Sequence, residues 1–252
     1  MALTADSAAN AWLARPRVFT RNQITPTVDK LAVRACGSGT MAASPFSPFI
    51  THASVPLDHA ALIEPITVAV HALSRFGSVS GLNVLVLGAG TIGNLVAQVA
   101  VAAGAKKVMP TDISEYKLEK ARQCGLNEVV NPEKQDLSKE IMKNFGSNKA
   151  DLILECVGVQ DTINQAIANA RKGSTIIVVG VFGDKPRVDL GLVEDRELSL
   201  IGTLMYQRND YARAIEFVSN GKLHLDQMVN TVLRLRIIWM RIKPSNLAGE
   251  NT

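Results

Sequence analysis

A glycine-punctuated stretch at residues 83–114 constrains the fold more than any other part of the chain. Gly88, Gly90 and Gly93 form a G-x-G-x-x-G motif directly after an apolar run. Asp112 follows Gly93 by nineteen residues and ends a second apolar run. A dinucleotide site requires a strand, a glycine turn, a helix, a second strand and an acid, in that order.

The three glycines have different tasks in such a turn. The first permits a tight bend, the second lets a pyrophosphate approach the backbone closely, and the third lets the helix pack against its strand. The free N–H groups and the positive dipole end of that helix, which is predicted to begin at Thr91, then face the phosphates. A glycine-punctuated βαβ unit without a ligand is the alternative interpretation.

The composition is that of an ordinary globular protein. The 252 residues are 47% hydrophobic and 20% charged, with a formal net charge of +4. The lysines and arginines are scattered rather than arranged in stripes, which argues against a nucleic-acid partner. Cys36, Cys124 and Cys156 form no C-x-x-C pair, which argues against a disulfide scaffold and a cysteine-rich zinc site.

Two stretches of the sequence bear on where in the cell the protein is expected. Residues 85–105 are apolar enough to suggest a membrane span, but their glycines, Asn94 and Gln98 favour a buried strand and helix. Residues 1–23 lack the apolar core of a secretory signal, so we expect a cytoplasmic protein without a membrane partner. Because that stretch is rich in alanine and arginine and poor in acids, a mitochondrial transit peptide stays open as an alternative, although Pro16 would interrupt its helix.

Strand and helix patterns alternate regularly after residue 81. The predicted strands are Asn83–Leu87, Lys107–Thr111, 128–131, 151–155, 175–180 and Ser199–Gly202, and the predicted helices are 91–103, Glu115–Gln123, 137–144, 162–171 and 210–219. This alternation predicts an α/β protein with a doubly wound, parallel, six-stranded sheet of the Rossmann type, in the order 3-2-1-4-5-6.

The pattern also predicts domain boundaries. Residues 56–225 would form the sheet domain with a leading helical stretch at 58–75, in which Pro65 lies in the first turn of a second helix. Residues 1–55 are poorly periodic and would be largely irregular. Residues 226–252 would be a C-terminal extension, in which the alternating, cation-bounded run 232–243 is an edge strand, a basic amphipathic element or, as we favour, a short packing element.

Asp112 is the main candidate for recognising the adenosine ribose. A carboxylate at the end of the second strand can accept both ribose hydroxyl protons and would repel a 2′-phosphate. Since Ile113 and Ser114 follow rather than an arginine, NAD is predicted over NADP. Two alternatives stay open: Asp112 or Ser114 could simply cap the next helix, and Lys117 could reach the cofactor or lie on a solvated face.

The loops after the later strands are candidates for the nicotinamide side, because ligands of open α/β sheets bind at the carboxyl ends of the strands. The residues concerned are Cys156 and Val157 after the fourth strand, Val179, Gly180 and Val181 after the fifth, and Leu204, Met205 and Tyr206 after the sixth. Ordinary connections between strands and helices are the alternative interpretation.

Two polar residues lie in the leading helical stretch. Glu64 could be a metal ligand, a general base or an acid favoured by the helix dipole, and residue patterns alone favour the dipole. His71 is interpreted as a packing histidine on an apolar face. Hydrolase and metalloprotease motifs such as G-x-S-x-G and H-E-x-x-H are absent from the sequence.

Several motifs, taken in order, resemble the zinc-dependent medium-chain dehydrogenases, in the branch of sorbitol, threonine and butanediol dehydrogenases. They are AALIEPITVAVHAL at 60–73, the glycine turn with its helix, DISEYKLEKARQCG at 112–125, DLILECVG at 151–158 and RELSLIGTLMYQRNDYARAIEFVSNGKL at 196–223. The resemblance extends from about residue 56 to residue 225.

The resemblance implies NAD-dependent oxidation of an alcohol or polyol, in which zinc polarises the substrate oxygen and hydride passes to the nicotinamide. It also implies a homodimer that joins sheets along the sixth strand, and it matches Glu64 to a glutamate near the zinc and its water. The cofactor contacts that motif and resemblance together imply are Gly88, Gly90, Thr91, Ile92, Gly93, Asp112, Ile113, Lys117, Cys156, Val157, Val179, Gly180, Val181, Leu204, Met205 and Tyr206.

The sequence departs from the family upstream of residue 56. The G-H-E zinc motif is absent, the structural zinc loop is absent, and Cys36 has no matching His-Glu pair, so we predict no metal ligand and regard residues 1–55 as a remnant of the catalytic domain. Two hypotheses follow. The chain is an NAD-dependent alcohol or polyol oxidoreductase homologue with an intact cofactor-binding half, or it is an NAD-binding or oligomerisation module without hydride chemistry.

Overall fold

The computed structural model describes residues 33–35, 55–229 and 231–233. The strands are β1 (Val33–Ala35), β2 (Asn83–Leu87), β3 (Lys107–Thr111), β4 (Leu152–Glu155), β5 (Thr175–Val178), β6 (Ser199–Gly202) and β7 (Thr231–Leu233). The helices are α1 (Leu57–Ala60), α2 (Ile63–Ser74), α3 (Thr91–Ala102), α4 (Glu115–Gln123), α5 (Leu137–Phe145), α6 (Gln160–Asn169), α7 (Leu190–Asp195) and α8 (Arg208–Ser219).

Five strands form the central parallel sheet, in the order β3-β2-β4-β5-β6. All residues of β2 and β4 are buried, as expected for parallel strands that helices cover on both faces. Helices α2, α3, α4 and α8 contribute to the core on one face, and α5 and α6 contribute to the core on the other. The predicted α/β fold and the order of these five strands are confirmed.

The predicted third strand at 128–131 is wrong in extent, because only one isolated parallel bridge joins Val130 to Thr111. The Val130 N–H donates to the carbonyl of Pro110, and the Asp112 N–H donates to the carbonyl of Val130. A longer parallel ladder would need N–H donors at residues 110 and 132, and both are prolines. The two prolines therefore restrict the third strand to a single bridge.

The leading helical stretch divides as predicted. Helix α1 ends at Ala60, α2 begins at Ile63, and Pro65 lies in the first turn of α2, where a missing N–H costs little. Most predicted element boundaries agree within two residues. Helix α6 is shifted two residues toward the N-terminus and α8 begins two residues earlier than predicted.

A second, two-stranded sheet pairs β1 with β7 in antiparallel register, with Arg34 opposite Val232. The predicted run at 232–243 thus begins in a strand, and the rest of that run lies outside the described residues. Among the described residues, no helix is long and apolar enough to cross a membrane. The cytoplasmic location stays a prediction.

Candidate functional site

The strand order places a crevice at the carboxyl end of the sheet. Strand β2 is followed along the chain by β3 on one side, while its other neighbour, β4, is reached only after α4 and α5. Leu87 at the end of β2 lies opposite Glu155 at the end of β4. This is the point at which the winding reverses, and ligands of open α/β sheets bind there.

The glycine turn lies at this crevice and could not be built from larger residues. Gly88 has φ +96°, and a Cβ on it would lie 2.6 Å from Cγ2 of Val157. A Cβ on Gly93 would lie 1.9 Å from the carbonyl oxygen of Gly88. These contacts explain two of the three glycines by packing alone.

Gly90 is different, because apart from its two neighbours in the chain no atom of the described residues lies within 4 Å of the Cβ that it lacks. It is the N-cap residue of α3 and has extended backbone geometry. Its lack of a side chain therefore serves no internal contact and leaves the N-terminus of α3 open to an approaching group. Such a helix end is a ready anion site.

Asp112 connects the end of β3 to the glycine turn. Its Oδ2 accepts the Ala89 N–H at 3.0 Å, and its Oδ1 accepts the Ser114 N–H at 2.9 Å. The N-cap of α4 is Ser114, without a side-chain capping bond. Asp112 therefore orients the turn and the start of the β3–α4 loop, rather than capping α4.

Lys117 is brought to the same carboxylate. Its Nζ lies 3.3 Å from Oδ2 of Asp112, and its side chain is 46% exposed while that of Asp112 is 6% exposed. Ile113, between them in sequence, is largely exposed. The structure thus groups these three predicted residues at the β3 side of the crevice.

Most of the remaining predicted residues lie on the other side of the crevice. Val157 follows β4 and is exposed, whereas Cys156 is half-buried and packs against the core. Val181, Leu204 and Met205 are large apolar residues that stay exposed. Val179, Gly180 and Tyr206 are half-buried, and so are Thr91 and Ile92, which instead begin α3 at the glycine turn.

Glu155 ends the predicted fourth strand, and its carboxylate is a site group to which sequence reasoning gave no role. It ends the buried strand β4 and is fully buried. Its Oε1 accepts the N–H groups of Val157 and Gly158 at 2.9 and 2.8 Å and the hydroxyl of Thr162 at 2.7 Å. The available signal was an acid at the end of an otherwise apolar strand.

A cluster of two tyrosines and a glutamate lies at the start of α2 and α8. The rings of Tyr206 and Tyr211 meet edge to face at 5.2 Å. A hydrogen bond with Tyr211, burial and the negative charge of Glu64 together raise the pKa of the Tyr206 phenol. Glu64 therefore lies close enough to Tyr206 for its charge to affect the phenol. The two residues are far apart in sequence, so the sequence alone could not indicate this proximity.

His71 is a packing histidine with a specific partner. Its Nδ1 lies 2.9 Å from Oδ2 of Asp210 on α8, and both side chains are 12% exposed. The pair links α2 to α8, and neither residue belongs to the glycine turn. The interpretation of His71 as a satisfied structural residue agrees with this contact.

The resemblance implies a zinc ion, and the residues that the structure describes do not fit one. Among the described residues, no group of three or more His, Cys, Asp or Glu side chains could hold a metal ion. Cys36 lies outside the described residues. Burial and the charge of Glu155 raise the pKa of the Cys156 thiol, which disfavours the thiolate form that a metal requires.

Comparisons with known proteins agree with this geometry. The family described as zinc-binding dehydrogenase matches residues 91–220. (R,R)-butanediol dehydrogenase of Neisseria gonorrhoeae is 32% identical over 182 residues, which are 72% of this chain and 51% of that protein. D-xylulose reductase of Saccharomyces cerevisiae is 35% identical over 179 residues, which are 69% of this chain and 50% of that protein.

A solved structure from Sinorhizobium meliloti 1021, described as a zinc-binding dehydrogenase bound to NADP, is similar with a TM-score of 0.63 and 29% identity. The match covers 69% of this chain and 53% of that chain. The chain spans about half the length of the curated relatives it matches. The family resemblance inferred from the motifs is confirmed, and the chain belongs to the zinc-binding dehydrogenase family.

Proposed function

We propose that residues 56–225 are the dinucleotide-binding domain of a medium-chain dehydrogenase and that they bind NAD. One observation carries this proposal: the N-terminus of α3 is kept open at Gly90, while its two flanking glycines are fixed by packing. Residues 1–55 would then be a remnant of the catalytic domain, and residues 226–252 a C-terminal extension.

Each part of the cofactor has candidate contacts on the described residues. Gly90, Thr91, Ile92 and Gly93 in the first turn of α3 would hold the pyrophosphate. Asp112, Ile113 and Lys117 would hold the adenosine ribose. The nicotinamide side would be formed by Cys156, Val157, Val179, Gly180, Val181, Leu204, Met205 and Tyr206.

The preference for NAD over NADP depends on Asp112. Its carboxylate already accepts a bond from the glycine turn and lies where a ribose hydroxyl is recognised in such folds. A 2′-phosphate would bring like charge against it. Lys117, at 3.3 Å, offsets part of that repulsion, so the proposed preference is a moderate one.

The test is a titration followed by fluorescence, with NADH and NADPH as ligands. The wild-type protein should bind NADH saturably and bind NADPH more weakly. Asp112→Ala should lose this preference, while Glu119→Ala, which removes an exposed carboxylate on α4, should keep it. A wild-type protein without a saturable NADH signal would refute the proposal.

Alcohol or polyol oxidation is a separate proposal. Glu64 is the candidate catalytic residue, since it lies near Tyr206 at the nicotinamide side. The described residues offer no set of metal ligands, so we expect NAD binding with very low alcohol oxidation. Stoichiometric zinc together with polyol turnover would overturn this expectation.

Homo-oligomerisation through β6 is also proposed. β6 lies at the edge of the sheet, and three of its four residues are exposed, with Leu200 37% exposed. An edge strand presents unpaired backbone groups to a second copy. Light scattering should show a dimer that Leu200→Lys weakens, and an unchanged mass for this variant would argue against the interface.

A further inference from the structure

Glu155 is a buried acid that the proposed contacts do not use. Its residue is 0% exposed, and three donors converge on its Oε1. These bonds fold the β4–α6 loop back over the carboxylate and fix the start of α6. A glutamine oxygen could accept the same three bonds, so loop structure alone does not require a charge.

The second oxygen of this carboxylate is unusual. Among the described residues, Oε2 of Glu155 is buried and has no hydrogen-bond partner. It lies beneath the junction of two loops, because a Cβ on Gly180 would lie 2.7 Å from Oε2 and 2.2 Å from the Gly158 nitrogen. Burying an unpaired polar atom costs free energy, and such atoms in native structures require an explanation.

The position of Glu155 supplies that explanation. Asp112 marks the adenosine side at β3, and α3 marks the pyrophosphate, so the loops after β4 and β5 flank the nicotinamide. The carboxylate lies under these loops, away from solvent. In such surroundings a charge acts with less screening than in water. Burial and the charge of Glu155 both raise the pKa of the Cys156 thiol, which is next in the chain on this side of the crevice.

We propose that the Glu155 carboxylate makes the site favour the oxidised, positively charged nicotinamide ring over the reduced, neutral ring. Glu155 acts here as a positioning residue, since it holds the β4–α6 loop and supplies a fixed negative charge. This inference rests on the proposed function, because it requires that the crevice holds the nicotinamide.

The first experiment compares the dissociation constants of NAD⁺ and NADH by calorimetry for wild type and Glu155→Gln. The substitution keeps the shape and the Oε1 acceptor and removes the charge. We expect NAD⁺ binding to weaken about tenfold relative to NADH, which corresponds to about 1.4 kcal/mol. ADP-ribose, which lacks the ring, should bind both proteins alike.

The matched control is Thr162→Val, which removes one donor to Oε1 and leaves the charge in place. It should change both dissociation constants by the same factor. An equal change for NAD⁺ and NADH in Glu155→Gln, or a Thr162→Val shift as large as that of Glu155→Gln, would overturn the inference and leave the proposed function intact.

A second measurement needs no variant and therefore does not depend on the folding of Glu155→Gln. Benzamide adenine dinucleotide carries a neutral ring of the same shape as the nicotinamide of NAD⁺. The wild-type protein should bind NAD⁺ about tenfold more tightly than this analogue. Equal affinities would overturn the inference, whereas binding of neither dinucleotide would refute the proposed function and the inference with it.

Discussion

Replacing Gly93 by alanine tests whether the glycine turn is locked by packing. The new Cβ would lie 1.9 Å from the Gly88 carbonyl oxygen and 2.9 Å from its carbonyl carbon. Both are backbone atoms, so no side chain can rotate away. To restore ordinary van der Waals contact, α3 and the turn would have to separate by about 1.5 Å.

Two opposing effects set the size of the loss. Alanine is about 1 kcal/mol better than glycine inside a helix, which favours the variant. Overpacking a buried site costs about 1–3 kcal/mol, and the cost lies at the upper end here because backbone must move. We therefore expect a net loss of about 2 kcal/mol, or a melting temperature lower by about 4–8 °C for a domain of this size.

The assay is thermal unfolding followed by circular dichroism, with Gly90→Ala as the control. A Cβ on Gly90 meets no atom within 4 Å, so this variant should melt within about 2 °C of wild type and yet bind NADH more weakly. A Gly93→Ala protein as stable as wild type would refute the packing argument. Unchanged NADH binding by Gly90→Ala would refute the proposed approach of the pyrophosphate.

Three further predictions concern other parts of the structure. The folded-state pKa of Tyr206 lies above the usual value of 10.0, so the folded chain keeps a proton that the unfolded chain loses. The free energy of unfolding should therefore fall as the pH rises above about 10, with a shallower slope for Tyr206→Phe in urea titrations; equal slopes would contradict this. Asp210→Ala should lose about 1–2 kcal/mol in the same titrations, since its carboxylate completes a capping box at α8 and also pairs with His71; a change below about 0.5 kcal/mol would argue against both roles. Burial raises the pKa of the Cys124 thiol, and Cys124 is buried, so mass spectrometry should find it unmodified by iodoacetamide in the folded protein at neutral pH and labelled after unfolding. Rapid labelling of the folded protein would contradict the burial.

The fold was largely predictable because its signals are local. Each strand is a short apolar run, and each helix after it carries an apolar stripe, so the bounds of β2, β3, β6 and α4 were predicted without error. The extent of the third strand was not predicted, because its length depends on N–H donors in the neighbouring strand as well as on its own donors. Pro110 and Pro132 lie in different segments, and only the pairing register shows that both face the same ladder.

The candidate site was predictable in part. The glycines and Asp112 are fixed by spacing along one segment, and in the structure Asp112 accepts a hydrogen bond from the N–H of Ala89 within the glycine turn. The role of the Glu155 carboxylate was not predicted, because it depends on three donors that only the loop conformation brings together. The proximity of Glu64 to Tyr206 likewise arises from packing between segments far apart in sequence.

One of the prolines that restrict the third strand also affects how copies of this chain could assemble. On the β3 side of the described sheet, Pro110 lacks the N–H that a strand pairing with β3 would need, whereas three of the four residues of β6 on the opposite side are exposed. Pairing of two copies through β6 would use the accessible edge of each. In the proposed dimer, sheet extension through β6 would therefore stop at two copies, and the open-ended growth that leads to fibres would be disfavoured.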